Sequence, residues 1–332
     1  MKFLLLLIAF PLLAIAAENL PEDFSGSIER FDPAFDKLIA PDAKIEKLAS
    51  GFTWSEGPVW FDGGIVFSDV PRNTAFRWKE GMTQAEIFLQ PSGMTGTPTD
   101  AREQGSNGLA RDAKGHLILC QHGDRRVARM IAPGKFETIA DKFDGKRFSS
   151  PNDLAIRKNG DIYFTDPPYG LSGLNDSPLK EIPFNGVYRV TPEGKVTLLT
   201  KDLTFPNGIA FSPDEKILYV AISDPKHTRV AAFDVKDDGT IANERTFFDA
   251  EAVKKPGLKG SCDGLKIDRD GNVWTTGPGG VLVISSEGKL LGRMSTGQPT
   301  ANCNWGGDGS TLYITANTFL VRVKTLTKGA GW

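Results

Sequence analysis

The chain has 332 residues, a formal net charge of -2 and 24% charged residues mixed along its length. With no basic block, neither nucleic acid nor an anionic membrane surface is an expected partner. Three cysteines, Cys120, Cys262 and Cys303, permit one bridge at most and form no CxxC, so neither a disulfide framework nor a structural zinc site organises the fold.

Residues 1–17 read as a secretory signal peptide, with Lys2, an apolar stretch over 3–14 and an Ala14-Ile15-Ala16 site before Ala17-Glu18. The stretch is too short, and too interrupted by Pro11, for a good membrane span. The mature chain is therefore expected to be exported, periplasmic or secreted, without membrane attachment after cleavage. Residues 18–42 are polar, carry Pro and Asp at intervals and read as an extended surface arm. AKIEKLA at 43–49 reads as a strand, and a single domain is expected over 43–332.

From there on, apolar runs of four to seven residues alternate with Gly, Asp, Asn and Pro turns, and no long stretch has an apolar stripe at helical period. Short, regularly spaced strands of this kind indicate an all-β fold. One phrase recurs. In SEGPVWFDGGIVFSD, SNGLARDAKGHLILC, PNDLAIRKNGDIYFTD, PNGIAFSPDEKILYV and CDGLKIDRDGNVWTT, a Ser, Pro or Cys precedes an acid or amide, and an apolar strand, a polar turn and a second apolar strand follow. Their opening residues, Glu56, Asn107, Asn152, Asn207 and Asp263, stand 45 to 56 residues apart, a period proper to four-stranded propeller blades. A degenerate sixth copy follows, with Asn302 near the opening position and its outermost strand missing. The reading is a six-bladed β-propeller whose last blade is closed by the N-terminal strand near Ile45, leaving no unpaired edge. The two longest irregular stretches, 91–105 and 167–183, are expected to be lids or pocket walls. Cys262 and Cys303 each lie in the opening turn of a repeat, and both a bridge between them and buried free thiols are compatible with the sequence.

In a propeller the opening residue of each innermost strand faces one mouth of the central channel. Glu56, Asn107, Asn152, Asn207 and Asp263 thus become an inner set of oxygen donors, with Asn302 as a weaker sixth. Two carboxylates plus amide oxygens suit a hard divalent cation, Ca2+ first, with Mg2+, Mn2+ or Zn2+ as alternatives. Any one Asn-Gly is a common turn dipeptide; turn chemistry does not explain why Glu56 and Asp263 occupy the same repeat position. The turns after the second strands add Asp69, His122, Asp166, Tyr169 and Asp224, of which Asp69, Asp166 and Asp224 are equally readable as turn caps. A polar mouth of this composition suits a hydroxylated small molecule, with His122 readable equally as general acid/base or substrate contact and as a structural polar residue, and with Asp166 and Tyr169 as further substrate contacts.

SEGPVW, SPNDLAI with GDIYFTDPPYGL, FPNGIAFSPD with LYV, and CDGLKID with GNVW resemble the signature segments of the gluconolactonase, senescence-marker protein (regucalcin) and luciferin-regenerating-enzyme-like family. The resemblance covers nearly the whole chain after residue 42. It implies a six-bladed propeller with one divalent metal held by Glu56, Asn152, Asn207 and Asp263, and it moves Asn107 from metal ligand to substrate or water contact. It also implies metal-assisted opening of a lactone, a sugar lactone such as gluconolactone, with Asp263 as proton acceptor and His122 as the alternative base. One feature of the sugar-lactonase branch is unmatched: an Arg two residues before the third-blade Asn, where this chain has Ser150 and its nearest preceding Arg is Arg147. No G-x-S-x-G elbow is present, which argues against a serine nucleophile. The alternatives are a metal-dependent aryl esterase or organophosphate hydrolase, for which Trp54, Phe148 and the Met94 region would form a more apolar wall, and a non-catalytic sugar- or calcium-binding propeller.

Overall fold

In the computed structural model, residues 24–96 and 100–332 are described, so the expected signal peptide lies outside the described residues. Among the described residues, six antiparallel sheets of four or five strands follow one another along the chain, with a two-stranded ribbon, Lys142–Phe143 and Lys146–Arg147, between the second and the third. Blade 1 comprises Ser55–Phe61, Gly64–Asp69, Thr74–Trp78 and Glu86–Leu89. Blade 2 comprises Ser106–Arg111, Leu117–Gln121, Arg126–Ala132 and Lys135–Ala140. Blade 3 is Leu154–Ile156, Ile162–Asp166, Gly186–Val190 and Val196–Thr200, and blade 4 is Pro206–Phe211, Ile217–Ile222, Arg229–Val235 and Ile241–Asp249. Blade 5 holds Leu265–Ile267, Val273–Gly277, Gly280–Ile284 and Leu290–Ser295, and blade 6 holds Asn302–Gly306, Thr311–Ala316 and Phe319–Lys324. The innermost strands touch in order around the ring, and the sixth returns to the first: a six-bladed β-propeller.

The apolar runs that define the strands have a physical reason. Each blade is covered on both faces by its neighbours, so successive side chains, which point to opposite faces, must both be apolar. In blade 1, Ile65 and Phe67 enter the core shared with blade 6, while Val66 between them enters the core shared with blade 2. Six such cores fill the six interfaces between blades. The cysteines sit in three different cores, Cys120 between blades 2 and 3, Cys262 between 4 and 5, and Cys303 between 5 and 6, and all three are free and buried.

Blade 6 takes its fourth strand from Glu46–Ser50, which pairs with Phe319–Lys324 and closes the ring as expected. The stretch before it is packed, where the sequence reads as a loose arm. Ser27–Arg30 adds a fifth strand to blade 5 against Leu290–Ser295. Pro33–Lys37 then forms a short 3-10 turn capped by the Asp32 side chain, which accepts from the Ala34 N–H at 2.8 Å. Phe35 is buried directly over Gly292, where a Cβ would meet its ring at 2.7 Å. The polar composition concealed these anchors, because Phe35, Leu38 and Ile39 are few and closely spaced. No helix among the described residues is long and apolar enough to cross a membrane.

Candidate active site

The opening residues of five repeats converge on one cavity of about 510 Å³ at one mouth of the channel. Glu56, Asn107, Asn152, Asn207 and Asp263 line it, together with Trp54, Arg102, Glu103, Tyr169, Leu174, Phe205 and Ser223. Three of the innermost strands shift register at the opening residue, between Glu56 and Val59, Ser106 and Leu109, and Pro206 and Ile209. Such a bulge breaks the strand's alternation and re-aims a side chain, here into the channel.

Neighbouring blades fix these backbones from behind. The Asn107 carbonyl accepts from Ser68 Oγ at 2.9 Å and the Asn207 carbonyl from Thr165 Oγ1 at 2.7 Å. The Asn152 carbonyl accepts from the Gly108 N–H at 2.7 Å, and that of Asp263 from the Gly208 N–H at 2.9 Å. The glycine after the site residue is required by this close approach: a Cβ on Gly208 would lie 2.2 Å from the Asp263 carbonyl oxygen, and one on Gly57, at φ +53°, would lie 2.1 Å from that of Asn107. The Asn-Gly pairs are thus blade-to-blade contacts and lie outside the turns.

The third repeat carries Asp153 where others carry glycine, and this acid is buried below Asn152. Its Oδ2 accepts from Asn302 Nδ2 at 3.2 Å and lies 3.5 Å from Lys266 Nζ. Asn302 also donates to Glu56 Oε2 at 3.3 Å, so the sixth opening residue ties two acids together beneath the cavity.

The electrostatics are strongly acidic. Burial, then the Asp153 charge, raises the pKa of the Glu56 carboxyl against the opposing Gly57 N–H bond. Burial followed by the charges of Glu56, Asp153 and Glu103 pushes Asp263 well above the usual carboxylate range. Like charges gathered in a low dielectric disfavour ionisation unless a cation joins them. Three buried oxygens here, Asn107 Oδ1, Asn152 Oδ1 and Asp263 Oδ1, have no hydrogen-bond partner, and a polar atom so placed is costly unless something else satisfies it. Asn207 turns its amide nitrogen to Ser223 Oγ at 3.0 Å, leaving its oxygen free. Two acids with amide oxygens and no nitrogen or sulfur donor match the oxygen preference of a hard divalent cation, so the residues present fit such an ion.

Other expected residues lie elsewhere. Asp166, expected against the substrate, is buried behind the cavity wall, where its oxygens accept from the Ser149 and Ser150 N–H groups at 2.9 and 2.8 Å. Asp69 does the same for Thr53 and Trp54 at 3.0 and 3.1 Å. Both acids clamp the loop that delivers the site residue of their own blade, the cap reading of the two. Asp224 caps Lys226. His122, expected at the mouth as base or substrate contact, is fully buried and does not line the cavity; its Nδ1 lies 3.2 Å from Glu103 Oε2. Tyr169 does face the cavity, stacked on Phe205 and bonded to Ser223 Oγ at 2.8 Å, with burial raising the pKa of its hydroxyl. Phe148 belongs to the core between blades 2 and 3, Met94 is buried without lining the cavity, and Arg147 turns to the Asp124 carbonyl; Trp54 is the one aromatic of the expected apolar wall that faces the cavity.

Both long loops wall the cavity, as expected, through Arg102 and Glu103 from one and Tyr169 and Leu174 from the other. They are joined by the Arg102 N–H to the Gly170 carbonyl at 3.0 Å and a bridge between Ala101 and Leu171. Glu103 and Arg102 carry no repeat signal and were invisible in the sequence. Asp153 was legible as the one acid in the glycine position.

Residues 54–318 match the family described as SMP-30/Gluconolactonase/LRE-like region. The chain belongs to this family. Within it, the chain is 39% identical to the gluconolactonase of Zymomonas mobilis, over 95% of this chain and 90% of that protein. It is similar to the solved structure of a gluconolactonase from Xanthomonas campestris, with a TM-score of 0.77 and 32% identity, covering 90% of this chain and 94% of that one. A more distant similarity, 24% identity over 68% of this chain and 73% of the relative, is to the diisopropyl-fluorophosphatase of Loligo vulgaris. Family membership agrees with the fold and with the four motifs that carried the resemblance.

Proposed function

We infer that the protein is a lactonase that opens a sugar lactone such as gluconolactone, using one divalent cation, Ca2+ first among the alternatives, held by Glu56, Asn152, Asn207 and Asp263. The observation that carries this reading is the set of buried, unpartnered oxygens around two mutually repelling acids in a cavity of small-molecule size. The gluconolactonases of Zymomonas and Xanthomonas support the substrate class. A bound cation supplies Lewis-acid polarisation of a carbonyl and neutralises the acids around it.

The chain's own residues account for the remaining chemistry. Water adds to the lactone carbonyl carbon, the bond from that carbon to the ring oxygen breaks, and a hydroxy acid leaves. Asp263 lines the cavity with one buried oxygen that has no partner; it receives the proton of the attacking water and returns it to the ring oxygen as that carbon–oxygen bond breaks, which makes the free hydroxyl of the product. Asn107 offers its free Oδ1 to the substrate. Tyr169, fixed by Ser223 and Phe205, forms part of the wall on which the ring rests. His122 does not reach the cavity and so is not placed to serve as the base. Export as a periplasmic or secreted protein belongs to the same proposal and is supported by the leader-like residues 1–17.

Asp263→Asn is expected to lower acid release from gluconolactone above the spontaneous rate by at least about 100-fold, the lower bound for loss of a general base. Undiminished turnover in that variant would sink the mechanism. A second reading, hydrolysis of aryl esters or phosphotriesters, is favoured by the apolar rim of Trp54, Phe205, Leu174 and Pro225. Faster turnover of phenyl acetate than of gluconolactone would select it.

A further inference from the structure

Glu103 stands out among the cavity residues because nothing in the metal-binding arrangement uses it. It comes from the loop before blade 2, on the segment tied to Gly170 by the backbone. Its carboxylate is held from two sides. Arg102 Nη1 donates to Oε1 at 2.9 Å and also to the Tyr169 carbonyl at 3.1 Å. His122 presents Nδ1 3.2 Å from Oε2.

His122 is itself immobilised. Its ring lies under Gly170, where a Cβ would meet His122 Cβ at 2.9 Å, and neither ring nitrogen makes an aligned hydrogen bond among the described residues. Among the described residues, the one carboxylate within ion-pair distance of this buried imidazole is that of Glu103.

An ordinary loop ion pair with Arg102, half exposed at the rim, would not require the acid to line the cavity or a buried histidine behind it. Glu103 lines the same cavity as Glu56, Asp263 and Tyr169. An ionised carboxylate accepts at about four lone-pair positions, and the two contacts leave the others for a ligand. The free Oδ1 of Asn107, four residues along the same segment, is a second acceptor in this cavity. A carboxylate and an amide oxygen together recognise hydrogen-bond donors, and on a lactone ring those donors are hydroxyls.

Resting on the lactonase reading, we propose that Glu103 is a specificity-determining residue that accepts hydrogen bonds from ring hydroxyls of the substrate, with Asn107 beside it, and that His122 is a positioning residue that aims the Glu103 carboxylate. The site thereby selects polyhydroxylated lactones over bare ones. A polar site that loses its partner discriminates strongly, because the buried acceptor is left unpaired.

The test compares Glu103→Gln with the unmodified protein on gluconolactone and on δ-valerolactone, which has the same ring without hydroxyls. The expected result is a rise in KM for gluconolactone of about 10- to 100-fold, the range of one or two hydrogen bonds to a charged group, with δ-valerolactone changed by less than about threefold. Equal losses on both substrates, or none on either, overturn the proposal. Glu103→Ser serves if the first variant fails to fold. His122→Leu is expected to shift KM in the same substrate-selective way, whereas His122→Asn, which keeps a donor near Nδ1, restores it; equal loss on both lactones in His122→Leu overturns the positioning role.

Calorimetry with 1,5-anhydroglucitol, a hydroxylated ring that cannot be hydrolysed, separates this proposal from the activity it rests on. Binding that disappears in Glu103→Gln supports hydroxyl recognition even if no lactone is turned over, in which case the lactonase reading alone falls. Absence of both binding and turnover in the unmodified protein overturns both.

Discussion

At the residue scale, Asp166 shows how a buried acid shapes this site without touching it. Burial outweighs its two backbone hydrogen bonds and the nearby Lys180 and Arg125 charges, and pushes its pKa up to about 6 from the ordinary 3.8. An acid raised in the folded state binds its proton more tightly there than in the unfolded chain, so folding is favoured at low pH and loses stability as pH climbs through the interval between the two values. Asp166→Asn keeps the shape and one acceptor oxygen but cannot ionise. Between pH 4 and 6 the unmodified protein is therefore expected to lose more thermal stability than the variant, as read from unfolding midpoints along that interval; parallel profiles would contradict the assignment. The sequence placed Asp166 at the right mouth and left open whether it caps or binds. An aspartate before a proline has the same letters in either role, and only the Ser149 and Ser150 N–H groups decide it.

At the scale of elements, what recurs is a strand start with a bulge, a site residue and a glycine. Gly208 lets blade 4 approach the Asp263 carbonyl of blade 5, and an added Cβ would lie 2.2 Å from that oxygen. Gly208→Ala must push two innermost strands apart, at a cost of about 1–3 kcal/mol by comparison with overpacked cores, and displaces Asp263 as it does so. A lower urea midpoint and a weaker cation affinity are expected together; an alanine variant as stable and as tight-binding as the unmodified chain would refute the account of the glycine. The repeat spacing made the blades and the oxygen donors legible, since both follow from periodicity. Glu103, Arg102 and Ser223 were not legible, because they come from loops or from the end of a second strand, whose path depends on tertiary contacts such as Arg102 to Gly170.

At the scale of the whole molecule, the ring gives the chemistry its rigidity. Six inter-blade cores hold six strand starts around one axis, and the closure by Glu46–Ser50 joins the beginning of the chain to its last blade. The fifth strand on blade 5 and the Phe35 anchor extend that closure and were hidden in the sequence by polar neighbours. This frame keeps two repelling acids and several unsatisfied oxygens together, which no flexible scaffold would do without a ligand. The central claim is that a cation completes the arrangement and that lactone opening depends on it. The direct measurement is acid release from gluconolactone by metal-stripped protein as Ca2+ is titrated back. The account predicts no rate above the spontaneous one in the stripped protein and a rise that saturates at one ion per chain; full activity in the stripped protein, or none at saturating Ca2+, Mg2+, Mn2+ and Zn2+, would contradict it.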